Sequence, residues 1–181
     1  MKKLIVGVFL LAFIATGNSQ ILLDEAKVEY KKASMKLDPA TQTLVIQIPE
    51  KKVGEFGNDA LVFMKNNFDI ESFVKDNADQ DYAEFQVNFL SDKGHLTARF
   101  NKDGDLISSQ QKFKNMRLPH DVQLEIAQLY NGATVLGTKS FAHSKGWVID
   151  KEYYRIKLDD GERTRRVRID RKNDRLSIAG L

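Results

Sequence analysis

The sequence predicts an α+β fold: two tandem units, each a helix followed by a four-stranded antiparallel sheet, preceded by a β-hairpin. Three observations predict it. Phe85-Gln-Val-Asn-Phe89 has a counterpart in Tyr154-Arg-Ile-Lys-Leu158. Ala98-Arg-Phe-Asn-Lys-Asp-Gly-Asp-Leu-Ile107 has one in Val167-Arg-Ile-Asp-Arg-Lys-Asn-Asp-Arg-Leu176. One constant offset relates both pairs without a gap, which is how a repeated supersecondary unit is written. Each copy is also preceded by an apolar set at helical spacing. The predicted organisation is 1–19 signal peptide, 20–52 hairpin, 53–117 first unit and 118–181 second unit.

The N-terminus reads as an export signal. Met1-Lys2-Lys3 is basic, Leu4 to Ala15 is an apolar run shorter than a membrane span, and Gly17-Asn18-Ser19 supplies small residues before a mature start at Gln20. No later run is long and apolar enough to cross a bilayer as a helix. The chain has no cysteine. Disulfides, thiolate nucleophiles, zinc–thiolate sites and a lipid-modified cysteine are thereby excluded. Removing Lys2 and Lys3 from the 28 basic residues leaves 26 against 25 acidic ones, a net charge of +1. A nearly neutral exported chain is not composed like a nucleic-acid binder.

Residues 24–49 read as the hairpin. Val28, Tyr30, Met35 and Leu37 mark one strand, Leu44, Val45, Ile46 and Ile48 the next, and Asp38-Pro-Ala-Thr41 the turn between them. Residues 58–68 read as a helix: Asn58 or Asp59 can cap it, and Leu61, Met64 and Phe68 share a face. Ile70, Phe73 and Val74 read as a strand or an irregular link. Phe85, Val87 and Phe89 alternate as a half-buried strand, and Leu96, Ala98 and Phe100 repeat the pattern. Ser91 to Gly94 and Asn101 to Gly104 are turns, and Leu106 to Phe113 is the last strand of this unit.

Leu118-Pro119 opens the second helix, with Pro at the first helical position. Val122, Ile126, Leu129 and Tyr130 lie on one face, and Asn131-Gly132 ends it. Thr134 to Phe141 is a strand and Ser144 to Gly146 a loop. Tyr154, Ile156 and Leu158 alternate, as do Val167 and Ile169, and Leu176 with Ile178 ends the chain.

The turns Phe100-Asn-Lys-Asp-Gly-Asp105 and Ile169-Asp-Arg-Lys-Asn-Asp174 share one pattern, and the second unit opens Leu118-Pro-x-x-Val122. In these features the stretch from about 55 to 181 resembles the PepSY-like group of exported bacterial proteins, a group similar in fold to the β-lactamase-inhibitor protein. The resemblance implies a tandem α/β fold and an exported, non-catalytic binding role. It supplies no catalytic residues.

No residue pattern marks a catalytic centre. His95, His120 and His143 have no metal-ligand spacing, and no Gly-x-Ser-x-Gly elbow marks a nucleophile. Asn101-Lys-Asp-Gly-Asp105 resembles a calcium loop but lacks the EF-hand positions of Gly and Glu, so it reads as a turn. No cofactor or metal is expected. The candidate contact residues are Arg166, Arg168, Trp147 and Tyr153. Arg166 and Arg168 share a strand face opposite Val167 and Ile169, within the densest basic run. They read either as a solvated face that discourages edge pairing or as a docking patch for an acidic protein or anionic envelope component. Trp147 reads as a core-edge residue or a binding anchor. Tyr153 and Tyr154 must face opposite ways. The function expected is exported, non-catalytic binding in the cell envelope. The alternatives are an inhibitor or propeptide-like module with a protruding loop around Lys145-Gly-Trp147, and an exported hydrolase without a recognisable motif.

Overall fold

A computed structural model describes residues 36–38, 40–78, 82–172 and 175–180. The signal peptide expected at 1–19 and most of the first hairpin strand lie outside these residues. Nine strands form one mixed sheet in sequence order: β1 Lys36–Asp38, β2 Thr43–Gln47, β3 Glu84–Leu90, β4 Gly94–Asn101, β5 Leu106–Lys114, β6 Thr134–Lys145, β7 Val148–Asp159, β8 Thr164–Lys172 and β9 Arg175–Gly180. Among the described residues four α-helices accompany it: α1 Val53–Asn58, α2 Ala60–Asn67, α3 Ile70–Asp76 and α4 His120–Leu129. Among the described residues, no helix is long and apolar enough to cross a membrane.

This architecture corrects the expected pair of tandem helix-plus-four-strand units. β5 pairs antiparallel with β6 from Ser108↔Lys145 to Lys114↔Lys139, so the sheet runs through the supposed boundary. Neither strand carries a proline or an edge-blocking bulge in that stretch, and each has a full row of groups to pair. The N-terminal hairpin forms, with β1 antiparallel to β2 from Lys36↔Val45 to Asp38↔Thr43, and it joins the same sheet. β2 lies parallel to β3, with Leu44 opposite Val87 and Ile46 opposite Phe89. A parallel pair needs a long crossover, and α1 to α3 provide it. The first half thus has three helices before β3, where one was expected.

Local sequence explains the additional helices. Asp59 caps α2 by accepting from the Val62 N–H at 3.0 Å, as its position predicts. Asp69 caps α3 in the same way, accepting from the Ser72 N–H at 3.0 Å and its hydroxyl at 2.7 Å. Ile70, Phe73 and Val74 are therefore helical, not a strand or link; their i, i+3, i+4 spacing is one helical face, packed on the first core. In α4, Pro119 takes the cap position, one residue before the helix. β6 extends to Lys145, so Ser144 lies in a strand, not in the expected loop.

Two apolar cores share the helix-covered face of the sheet. The first gathers Leu44, Ile46, Val87, Leu96 and Ala98 with a phenylalanine cluster: Phe56, Phe63, Phe68, Phe85, Phe89, Phe100 and Phe113, with Phe73 packed against it. The second gathers Val122 and Ile126 of α4 over Tyr154, Ile156, Leu158, Val167 and Ile169. Between them β5 and β6 present small and polar residues. Ser109 and Ser144 are fully buried and share a hydrogen bond at 2.8 Å. The backbone ladder crosses this joint while the apolar packing does not.

Candidate functional site

Strand alternation gives the sheet a second face. Where Phe113, Tyr154, Ile156, Val167 and Ile169 point into the cores, their neighbours Lys112, Lys114, Tyr153, Arg155, Lys157, Arg166 and Arg168 point the other way. Registers fix how these neighbours line up. One rung reads His95, Lys112, Phe141, Tyr153 and Asp170 across β4 to β8. The next reads Lys114, Lys139, Arg155 and Arg168 across β5 to β8. A third places Lys157 opposite Arg166.

Phe141 and Tyr153 stack, with ring centroids 4.7 Å apart and planes 12° from parallel. Lys112 Nζ lies 5.7 Å over the Phe141 ring, and the Arg168 guanidinium lies 4.0 Å over the Tyr153 ring. Arg155 reaches both rings, at 5.4 and 5.6 Å. Cations and aromatics thus hold one another in place. Arg168 is also held by Asp170, with bonds of 2.6 to 3.0 Å. Among the described residues, no acidic side chain pairs with Lys112, Lys114, Lys139, Arg155, Lys157 or Arg166. The field of this array reaches His95: its pKa falls below the usual histidine value, first through burial and then through Lys112.

The structure brings three of the four candidate residues, Arg166, Arg168 and Tyr153, onto this one face. Trp147 stands apart. It occupies the second position of the two-residue β6–β7 turn, after Gly146, whose φ of 53° suits the first position of a type II′ turn. The residue is 48% exposed, which overturns the buried core-edge reading, and Lys65 of α2 lies 5.8 Å from its ring centroid. Val148 and Ile149 beside it are exposed as well. Sequence reasoning missed Phe141, Lys139 and Arg155. Their signal was the two-residue period of Lys139-x-Phe141 and Tyr153-x-Arg155-x-Lys157, opposite the apolar positions.

The opposite, helix-covered face holds a cleft of about 440 Å³ where the two cores meet. Its charged group is self-contained. Arg171 donates to Asp121 at 2.5 and 2.6 Å and to Glu152 at 3.0 Å, and the Tyr154 hydroxyl donates to Glu152. Burial, reinforced by Glu152, raises the Tyr154 pKa far above the usual phenol value. Among the described residues no cluster of three or more His, Asp or Glu could hold a metal ion. The Asn101 turn closes on itself: its side-chain oxygen accepts from the Asp103 and Asp105 N–H groups, the geometry of a turn.

The β7–β8 turn has its own anchor. Asp160 accepts from the Arg163 N–H at 2.8 Å and from Arg165 Nε at 2.5 Å. These bonds, the backbone one first, lower its pKa from 3.8 to about 2. The folded carboxylate holds its proton less tightly than the unfolded one. Its contribution to stability is therefore complete above pH 3.8 and disappears as pH falls through about 2. Asp160→Asn is expected to differ from the parent in thermal stability at pH 5 and to converge with it near pH 2. Curves separated equally at both pH values would refute this role.

No protein-family model matches the chain, and no curated protein matches it.

Proposed function

We propose that this chain is an exported, non-catalytic binding protein of the cell envelope whose site is the open face of β5 to β8. One observation carries the reading: a rung of like charges, Lys114, Lys139, Arg155 and Arg168, on four successive strands, of which Arg168 alone is neutralised by an acid among the described residues. Like charges directly opposite one another destabilise a sheet. Edge protection does not account for them, because β9 covers β8 and all four strands are interior. An uncompensated interior array is what an anionic partner would relieve. The export reading is supported by the basic and apolar N-terminal segments and by the likeness of the paired turns to PepSY-like proteins. The engagement of Glu152 and Asp121 by Arg171 argues against a poised acid–base pair in the cleft.

Retention on immobilised heparin tests the anion-binding site. The protein should bind at low salt and elute as ionic strength rises. Lys139→Glu/Arg155→Glu should abolish retention, while Lys75→Glu on α3, on the helix-covered side, should change it little. Equal retention of the first variant and the parent would sink the assignment of the site.

A further inference from the structure

We infer that the anionic partner is a lipid headgroup layer, with the open face of β5 to β8 lying on it and Val148 of the β6–β7 tip entering it. This rests on the reading of that face as an anion-binding surface.

The array is two-dimensional. Unpaired cations recur across strands, from Lys114 to Lys139 to Arg155, and along them, from Arg155 to Lys157. Strands lie roughly 4.8 Å apart and same-face residues roughly 6.7 Å apart along each, so the charges tile a plane. A planar layer of anionic headgroups meets all of them together. The ring faces are occupied, Phe141 by Tyr153 and Lys112, Tyr153 by Phe141 and Arg168. They offer no free platform on which nucleobases could stack, which removes what single-strand binders add to charge attraction.

The tip supplies the second, independent observation. Val148 is 71% exposed, at the end of the same hairpin that carries Phe141 and Tyr153, while Trp147, with Lys65 of α2 over its ring, and Ile149, which lines the cleft, turn to the helix-covered face. Val148 stands opposite Lys145, and Lys145 opposite Ser108, so Val148 belongs to the open face. Lys145 and Lys151 are exposed on either side of the tip, and the acid between them, Asp150, is bonded to His143 at 2.6 Å. An aliphatic side chain rimmed by lysine at the edge of a cationic face is placed to settle at headgroup level. A soluble polyanion would use the cations and leave this apolar tip in water.

Trp147 is the one tryptophan in the chain, so its fluorescence reports on the tip alone. The chain from Gln20 would be mixed with vesicles of phosphatidylcholine containing phosphatidylglycerol and, separately, with phosphatidylcholine alone. Co-sedimentation with the anionic vesicles only, with a blue shift of Trp147 emission, is expected. Lys139→Glu/Arg155→Glu should lose both. Val148→Ser should lose the shift and weaken adsorption several-fold, while a circular dichroism spectrum unchanged from the parent's shows that the variant is folded. Retention on heparin without adsorption to anionic vesicles would overturn the lipid assignment and leave the anion-binding reading standing. Failure on both would overturn both. Equal adsorption to neutral vesicles, or adsorption without an emission shift, would also overturn it.

Discussion

Phe56→Ala is expected to lower the unfolding free energy by about 3–5 kcal/mol, the range for removing a fully buried phenylalanine. Phe56 is completely buried. Its ring meets Phe63 edge-on at 5.2 Å, Phe113 edge-on at 5.1 Å and Phe89 at 6.4 Å. It therefore ties α1 to α2, β5 and β3 at once. The cavity cannot readily collapse, because the rings around it belong to three different elements, α2, β3 and β5, which would have to move together. With roughly 2–4 °C lost per kcal/mol in a chain of this size, the melting temperature should fall by about 10 °C. Circular dichroism melts of both proteins would measure it. A drop of under about 1 kcal/mol would mean that the first core does not hold the helices to the sheet.

The strands were readable because most of them are half-buried. Phe85, Val87 and Phe89, or Tyr154, Ile156 and Leu158, alternate with polar residues, and the structure buries those residues. What alternation cannot state is which strands adjoin. The internal similarity of the two halves suggested two repeated units, side by side or joined in one sheet, and similarity of segments says nothing about whether β5 leaves an edge unpaired. Its pairing with β6 is a long-range backbone matter, carried by Ser109, Gln111, Ser140 and Ser144 with little apolar signal. The parallel placement of β2 beside β3 was hidden for the same reason. It depends on α1 to α3 bridging the two strands, and α3 was misread because Ile70, Phe73 and Val74 form a short apolar run.

The candidate face was partly legible. Arg166 and Arg168 stood out because basic residues are dense in β8, and Tyr153 because it had to oppose Tyr154. Lys114, Lys139 and Arg155 did not, since each is an isolated cation in its own strand. They become one feature only when the register sets Lys114 against Lys139 and Lys139 against Arg155. Phe141 likewise reads as a core residue in one dimension. It is the described phenylalanine that lies outside the first core, and its stacking partner comes from the next strand.

Lys139→Glu is expected to stabilise the fold and weaken its binding together. Lys139 lies between Lys114 and Arg155, so the substitution turns two repulsive cross-strand pairs into two attractive ones. Each such pair is worth roughly 0.2–1 kcal/mol, and the side chain is exposed, so a gain of about 0.5–1 kcal/mol is expected, largest at low salt. The same change subtracts two charges from the array. At about 1 kcal/mol for each basic residue held near an anionic surface, adsorption should fall roughly 30-fold. Binding and stability then move in opposite directions, the mark of a residue kept for what it contacts and not for what it supports. Lys139→Gln separates the terms, because it relieves repulsion without adding attraction and should lie between the two proteins in both measurements. Melting curves and vesicle or heparin titrations of the three proteins would decide it. A Lys139→Glu protein that melts lower than the parent would show that the rung is a stabilised part of the sheet and would remove the physical argument for a ligand there.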